Sequence, residues 1–216
     1  MGADDIRKAA SVIATRESEH GPEVLVVERS AASRFLPGYV AFPGGAVDVD
    51  DAALAGRWFG DVTEAARAAA IRELIEETSV AVTAGGARLA TDPDPLARVD
   101  VDPPPAAMLH EIARWIAPEE VPVRFDARYF AVAVDHGVDP VPDGGETAAA
   151  WWVSPSALLE EWSRGSRKLY WPTWLTVHEL APCASVEALL ALRMETREPD
   201  DDEVATMPPS VFSQDR

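Results

Sequence analysis

Three glutamates, Glu73, Glu76 and Glu77, have the spacing that points most directly to chemistry. Each residue of an α-helix turns by about 100°, so positions i, i+3 and i+4 share one face. Neighbouring carboxylates repel one another, and Arg72 is the only base next to them in the sequence. Hard divalent cations such as Mg²⁺ prefer oxygen ligands and often bind together with substrate phosphates. We therefore predict a metal-binding face, with a solvated acidic surface as the alternative.

A long helix and a glycine turn must position these acids. Residues 64–78 contain neither Gly nor Pro and include five alanines, which predicts a helix over the whole run. A short strand over residues 39–42 is predicted to end in the turn Pro43-Gly44-Gly45. That turn can bring backbone carbonyls close to the acidic face.

The remaining elements predict a mixed sheet with helices packed on its faces, because strands and helices do not alternate regularly. A hairpin is expected from residues 10–14 and 23–29, while residues 46–60 read as irregular and residues 91–105 as a loop. Further strands are predicted at 80–82, 128–134 and 150–153, and further helices at 106–116, 156–162, 174–180 and 186–194.

The 216-residue chain is strongly acidic, with 37 Asp and Glu against 19 Lys and Arg and a net charge of −18. This balance argues against binding to nucleic acid or to an anionic membrane surface. A hydrophobic content of 47% supports a folded core, and no apolar segment approaches the ~20 residues of a membrane span. The single cysteine, Cys183, excludes an internal disulfide. We expect a cytoplasmic protein, either a monomer or a homodimer.

The acidic helix resembles the signature of the Nudix hydrolase family. That signature is Gly, five residues, Glu, seven residues, then Arg-Glu-hydrophobic-any-Glu-Glu-any-Gly-hydrophobic. Seven residues separate Glu64 from Arg72, and the run from Arg72 to Glu77 fits. Two features depart from it: eighteen residues instead of five separate Gly45 from Glu64, and Ser79 replaces the last glycine.

The resemblance implies an α/β fold of the α+β type, in which an α/β/α sandwich with a mixed sheet carries extra C-terminal helices. Residues 1–196 are then one domain, with a box insertion at 46–63 and a loop insertion at 91–105. The acidic tail at 197–216 is expected to be extended or disordered.

The resemblance also implies metal-dependent hydrolysis of a pyrophosphate bond in a nucleoside diphosphate linked to another group, using Mg²⁺ or Mn²⁺. Glu76 and Glu77 would bind metal with the backbone carbonyl of Gly44 or Gly45, and Glu73 would be a metal ligand or the general base. Further roles follow for residues outside this set: Arg72 orients the glutamates, and Glu64 supports them or pairs with Arg72. Glu146 is a candidate later acid, with a solvated carboxylate at the end of a turn as the alternative. Arg34, Arg124 and Arg128 are candidate phosphate contacts, with surface salt bridges to the plentiful acids as the alternative.

Within the family, the chain is similar to a branch with a long insertion that includes peroxisomal coenzyme A diphosphatases. The marks of this branch include residues 34–38 and residues 42–48. Coenzyme A or an acyl-CoA is one candidate substrate, and ADP-ribose, NADH, dinucleoside polyphosphates and nucleotide sugars are alternatives. A non-catalytic nucleotide-sensing domain is a further alternative, although such domains usually lack the box acids that are present here. An acidic mimic of nucleic acid would explain the charge but not its position on one helical face.

Overall fold

The centre of the molecule is a pair of parallel strands, formed by residues 7–18 and 125–133. The computed structural model describes residues 6–33, 35–90, 93–119, 124–135, 137–196 and 200. The strands are β1 (Arg7–Ser18), β2 (Gly21–Arg29), β3 (Tyr39–Ala41), β4 (Gly44–Ala46), β5 (Val80–Thr83), β6 (Gly86–Leu89), β7 (His110–Ile116), β8 (Phe125–Ala133), β9 (Thr147–Val153) and β10 (Lys168–Leu169). The helices are α1 (Asp51–Phe59), α2 (Ala65–Thr78), α3 (Ala97–Val101), α4 (Pro155–Ser163), α5 (Trp171–Leu180) and α6 (Val186–Leu190).

Within the described ranges, eight strands form one mixed sheet in the order β10-β3-β2-β1-β8-β7, with β4 paired to β1 and β9 paired to β2. The hairpin of β1 and β2 is antiparallel, as the sequence predicts. Both β4 and β2 lie on the same side of β1, opposite β8. Gly44 and Gly45, which the sequence predicts as part of a turn, are the first two residues of β4 because they pair with β1, and they lie beside the middle of the sheet. Strands β5 and β6 form a separate hairpin after α2.

Two hydrophobic cores cover the two faces of the sheet. Side chains of β1 alternate between them: Val12 packs with Leu74 of α2, whereas Ile13 packs with Leu158 of α4 and Val177 of α5. The α/β/α sandwich and the extra C-terminal helices are therefore confirmed. No helix in the described part of the chain is long and apolar enough to cross a membrane.

Two predicted elements are wrong, and both errors have a physical cause. Residues 106–116 are not a helix but a 3₁₀ turn followed by the strand β7. The register of β7 against β8 shifts between Glu111 and Ala113, so Ile112 and Ala113 are both buried and the two-residue alternation is lost. The predicted irregular segment 46–60 contains the helix α1, which ends in a left-handed glycine at Gly60.

The other predicted helices are present with shifted ends. Helix α4 begins with Pro155 after Ser154, whose hydroxyl accepts a hydrogen bond from the backbone of Ala157. Helix α6 ends at Leu190, and the backbone N–H of Met194 donates instead to the carbonyl of Ile112 at the edge of β7. The predicted loop at 91–105 contains the short helix α3, and residues 91 and 92 lie outside the described part. Apart from Asp200, the predicted acidic tail also lies outside the described residues.

Candidate active site

Helix α2 presents its acids toward β4 because its other faces are buried. Ala68, Ile71 and Leu74 are fully buried in the core between α2 and the sheet. Asp61 accepts a hydrogen bond from the backbone of Thr63 and starts the 3₁₀ turn that leads into the helix. The helix that the sequence predicts is thus confirmed, and its position against β1 and β4 turns the acidic face toward the glycine turn.

Gly44 and Gly45 approach the glutamates closely. The backbone N–H of Gly44 donates to Oε2 of Glu77 at 3.0 Å. A Cβ atom at Gly45 would lie 2.4 Å from Oε1 of Glu73. A Cβ atom at Gly44 would lie 2.5 Å from the carbonyl oxygen of Ala10. A side chain at either position would meet these oxygens, which belong to a side-chain carboxylate at Gly45 and to the backbone at Gly44.

Arg72 forms hydrogen bonds with acidic side chains of two helices, α1 and α2. Its Nε and Nη2 contact the two carboxylate oxygens of Asp51 at 2.9 and 3.1 Å, while Nη1 contacts Glu73 at 2.8 Å and Glu76 at 2.9 Å. Nη2 also donates to the carbonyl of Ala46 at 3.2 Å. Burial opposes the charge on Arg72, but its bonds to Asp51 and Glu73 raise the pKa of the guanidinium above its ordinary value. Arg72 therefore remains charged and fixes the orientation of two site glutamates.

The carboxyl group of Glu77 is buried, and none of the described residues forms an ion pair with it. Its residue is 7% exposed, and burial raises its pKa from 4.5 to about 8 against the opposing effects of the Gly44 N–H and the charge of Arg29. Burial also raises the pKa of Glu73, against the opposing charge of Arg72. The charges of Glu73 and Glu146 add to the rise at Glu77. Such a pair of crowded carboxylates gains stability from a bound cation.

The oxygen donors of this site suit a hard divalent cation, but they do not converge on one point in the described structure. Among the described residues, no group of three or more His, Cys, Asp or Glu side chains converges on one point where a metal ion could be held. Glu76 is half-exposed, and both it and Glu73 are bonded to Arg72. Glu77 and Glu73 supply carboxylate oxygens beside the glycine backbone, which is the kind of donor that Mg²⁺ prefers.

Glu64 does not pair with Arg72, which corrects that alternative for this residue. It forms an ion pair with Arg67 on the same helix, and the partner of Arg72 is Asp51. Five residues separate Gly45 from Asp51, the interval that the signature requires between its glycine and its first acid. The spacing after Gly45 identifies Asp51 as the first acid of the signature, whereas the spacing before Arg72 identifies Glu64. The extra residues of the box thus follow the first acid.

Glu146 reaches the neighbourhood of the site from the loop before β9. Its backbone carbonyl accepts from the N–H of Ser30 at 2.8 Å, and its charge acts on Glu77. The side chain is exposed. Arg29, at the end of β2, also lies near Glu77 and was missed, because a single arginine at a strand end has no distinctive sequence pattern.

The three arginines predicted as phosphate contacts are not brought together by the described structure. Arg34 lies outside the described residues. Nε of Arg124 donates to the carbonyl of Ala117 at 2.9 Å. Arg128 forms an ion pair with Glu111, with Nε 2.9 Å from Oε1. In the sheet, β1 separates Arg128 on β8 from the glycine turn on β4.

Comparisons with known proteins show the family of this chain. The model of the NUDIX domain matches residues 5–171. The chain belongs to the Nudix family. The crystal structure of a Nudix hydrolase from Alicyclobacillus acidocaldarius superimposes with a TM-score of 0.73 and 32% identity, covering 88% of this chain and 98% of the other. "Putative nudix hydrolase 7" of Caenorhabditis elegans is 29% identical over an alignment of 196 residues, and the match covers 84% of this chain. Our chain spans 61% of the length of that Nudix relative.

Proposed function

We propose that this Nudix protein hydrolyses the pyrophosphate bond of a nucleoside diphosphate linked to another group, with Mg²⁺ or Mn²⁺ as cofactor. The observation that carries the proposal is the buried carboxyl of Glu77, which the Gly44 N–H contacts beside the carboxylate of Glu73. A buried carboxyl group with no ion-pair partner among the described residues either keeps its proton or, when ionised, gains stability from an accompanying cation. A pyrophosphate anion is a suitable substrate for a site whose positive charge comes with the metal.

Each acid has a proposed role. Glu76, Glu77 and the backbone carbonyl of Gly45 hold the metal, which supplies neutralisation of phosphate charge and a more acidic water. Glu73 is a further metal ligand or the base that takes a proton from water, and its raised pKa suits proton transfer. The bond from Arg72 at 2.8 Å limits the rotation of that carboxylate.

The supporting acids are assigned by their contacts. Asp51 fixes Arg72 through two hydrogen bonds, so it positions Glu73 and Glu76 indirectly. Glu146 is proposed as an additional metal ligand or base because it is an exposed acid whose charge reaches Glu77. Glu64, through Arg67, supports the start of α2 behind the site.

For the substrate we propose coenzyme A or an acyl-CoA, on the basis of the similarity of residues 34–38 and 42–48 to that branch. ADP-ribose, NADH and nucleotide sugars are the competing substrates within the same chemistry. Arg34, Arg124 and Arg128 stay predicted phosphate contacts. The ion pair of Arg128 with Glu111 would have to loosen for such a contact.

The test is a panel of these diphosphates with Mg²⁺ or Mn²⁺, with phosphate-containing products identified by chromatography. Wild type is expected to release the two halves of the substrate, each keeping one phosphate of the cleaved pyrophosphate, and Glu77→Gln and Glu73→Gln are expected to lose most of that activity. Glu160→Gln is the matched control, since Glu160 is an exposed helix acid paired only with Arg164 among the described residues.

Failure of wild type to cleave any of the compounds with either metal would overturn the hydrolase proposal. Binding of ADP-ribose without cleavage would favour the sensing domain instead. Full activity of Glu77→Gln would reject Glu77 as a metal ligand even if the protein is an enzyme.

A further inference from the structure

Arg29 lies on the face of the sheet that carries the acidic helix. Leu25 of β2 packs in the core under α2. The register of β2 against β9 shifts between Glu28 and Arg29, and the charge of Arg29 acts on Glu77 of α2, which places its side chain on this face. Across the sheet Arg29 pairs with Thr147, next to Glu146, and the following residue, Ser30, donates to the Glu146 carbonyl. The guanidinium is thus carried to the same corner of the molecule as Glu77 and Glu146.

Neutral acceptors hold one edge of the Arg29 guanidinium. Nε donates to the carbonyl of Phe35 at 2.8 Å, and Nη2 donates to the hydroxyl of Ser33 at 2.8 Å. In the described part of the chain, no carboxylate lies within 4.0 Å of this guanidinium as an ion-pair partner. Both contacts come from the loop after β2, so the position of the side chain is fixed while its charge is not neutralised.

Arg72 provides the contrast within the same site. Its guanidinium bonds to Asp51, Glu73 and Glu76, so its charge is balanced by protein carboxylates. The charge of Arg29, by comparison, acts on Glu77 without a bond to it. The positive charge of Arg29 near the metal-binding residues weakens metal binding slightly. This loss is offset if the guanidinium binds the anionic substrate.

We propose that Arg29 binds a phosphate oxygen of the substrate through the edge of the guanidinium that faces away from Ser33 and Phe35. The inference rests on the proposed pyrophosphate substrate and adds a binding residue to it. The planar fork of arginine matches two oxygens of one phosphate, and its orientation is already fixed by the loop. Arg29 is therefore a substrate-binding residue, and it can contact phosphate in both the substrate and the product.

The experiment measures binding of ADP by calorimetry to the full chain without metal, and binding of Mn²⁺ by electron paramagnetic resonance without nucleotide. Arg29→Gln is expected to weaken ADP binding by about tenfold or more, the loss of one charge-assisted hydrogen bond. Its Mn²⁺ affinity should be unchanged or slightly higher, because a positive charge near Glu77 has been removed. Arg29→Lys should fall between Arg29→Gln and wild type.

Ser33→Ala is the matched variant that separates phosphate binding from loop anchoring. It removes the 2.8 Å contact but leaves the charge of Arg29, so ADP binding should stay within about twofold of wild type. If Ser33→Ala and Arg29→Lys weaken ADP binding as much as Arg29→Gln, and all three lower the melting temperature, Arg29 is an anchor and the proposal is wrong.

Two further outcomes distinguish this proposal from the hydrolase proposal. Cleavage of a panel compound with the same KM and ADP affinity in Arg29→Gln overturns the role of Arg29 and leaves the hydrolase intact. If wild type cleaves none of the compounds but binds ADP, and Arg29→Gln loses that binding, the role of Arg29 is supported and the hydrolase proposal is rejected. Wild type that does not bind ADP at all also overturns the role of Arg29.

Discussion

Arg72 of α2 and Asp51 at the start of α1 form a two-pronged ion pair, with Nε–Oδ1 at 2.9 Å and Nη2–Oδ2 at 3.1 Å. The side chain of Asp51 is 1% exposed and also accepts from the N–H of Asp48 at 2.8 Å. The acid that orients the site arginine is therefore the first residue of α1.

Asp51→Asn is expected to lower kcat by about 10- to 100-fold, the usual effect of removing a group that orients site residues. The amide would also leave Arg72 without its buried counter-charge, costing on the order of 3 kcal/mol of stability. Steady-state kinetics and urea unfolding measure the two effects. Glu64→Gln removes the partner of Arg67 instead and should affect kcat much less; the opposite order would return the role to Glu64.

Gly45→Ala and Gly44→Ala should fail in different ways. A methyl group at Gly45 meets the carboxylate of Glu73 at 2.4 Å, and this flexible side chain can move away, so activity should fall while the fold persists. At Gly44 the methyl group meets the Ala10 backbone at 2.5 Å, where nothing can move cheaply, so the melting temperature should fall. Equal loss of stability in both variants would contradict this distinction.

Glu77 predicts a pH dependence of stability in the metal-free protein. Its pKa rises from 4.5 in the unfolded chain to about 8 in the fold, so the folded state holds the proton more tightly. Stability from this group is complete below pH 4.5 and is lost as the pH rises to about 8, by on the order of 4 kcal/mol. Urea unfolding at pH 5, 6.5 and 8 measures the trend.

Glu77→Gln is the control for that trend, because glutamine has no proton to lose. The difference in stability between wild type and variant should change between pH 5 and 8 without metal. Saturating Mg²⁺ should flatten it, since the cation takes the place of the proton. A constant difference across this pH range would show that Glu77 is ionised throughout.

Ser79 occupies a left-handed conformation at the end of α2, with φ of 57° and its N–H bonded to the carbonyl of Ile75 at 2.8 Å. Glycine takes this conformation without a Cβ penalty. Ser79→Gly should raise stability by about 0.5 kcal/mol, after the 3.3 Å contact of the hydroxyl with Val141 is lost. Ser79→Ala keeps the strained conformation and should be less stable than wild type; thermal unfolding tests both.

Helix α2 and its acids were predictable because the run has no Gly or Pro and its acids recur at helical spacing. Helix α4 was predictable because Ser154 is an N-cap residue followed by proline. Strand β7 was not predictable, because a bulge puts Ile112 and Ala113 on the buried side together and imitates helical spacing. Helix α1 was missed because its acidic start resembles a loop. The place of Arg29 depends on strand pairing, which no local pattern records.

Asp51 is the first residue of α1, and it lies at the spacing from Gly45 that the box has for its first acid. Its ion pair with Arg72 fixes where the insertion begins, whereas the later residues of the insertion, which the structure describes, make no such contact. A one-residue change in where α1 begins would rotate its first side chain by about 100° away from Arg72. Residues beyond the first turn carry no such constraint from the site. Lengthening or shortening the insertion after its first turn therefore alters the surroundings of the site without altering the orientation of its arginine.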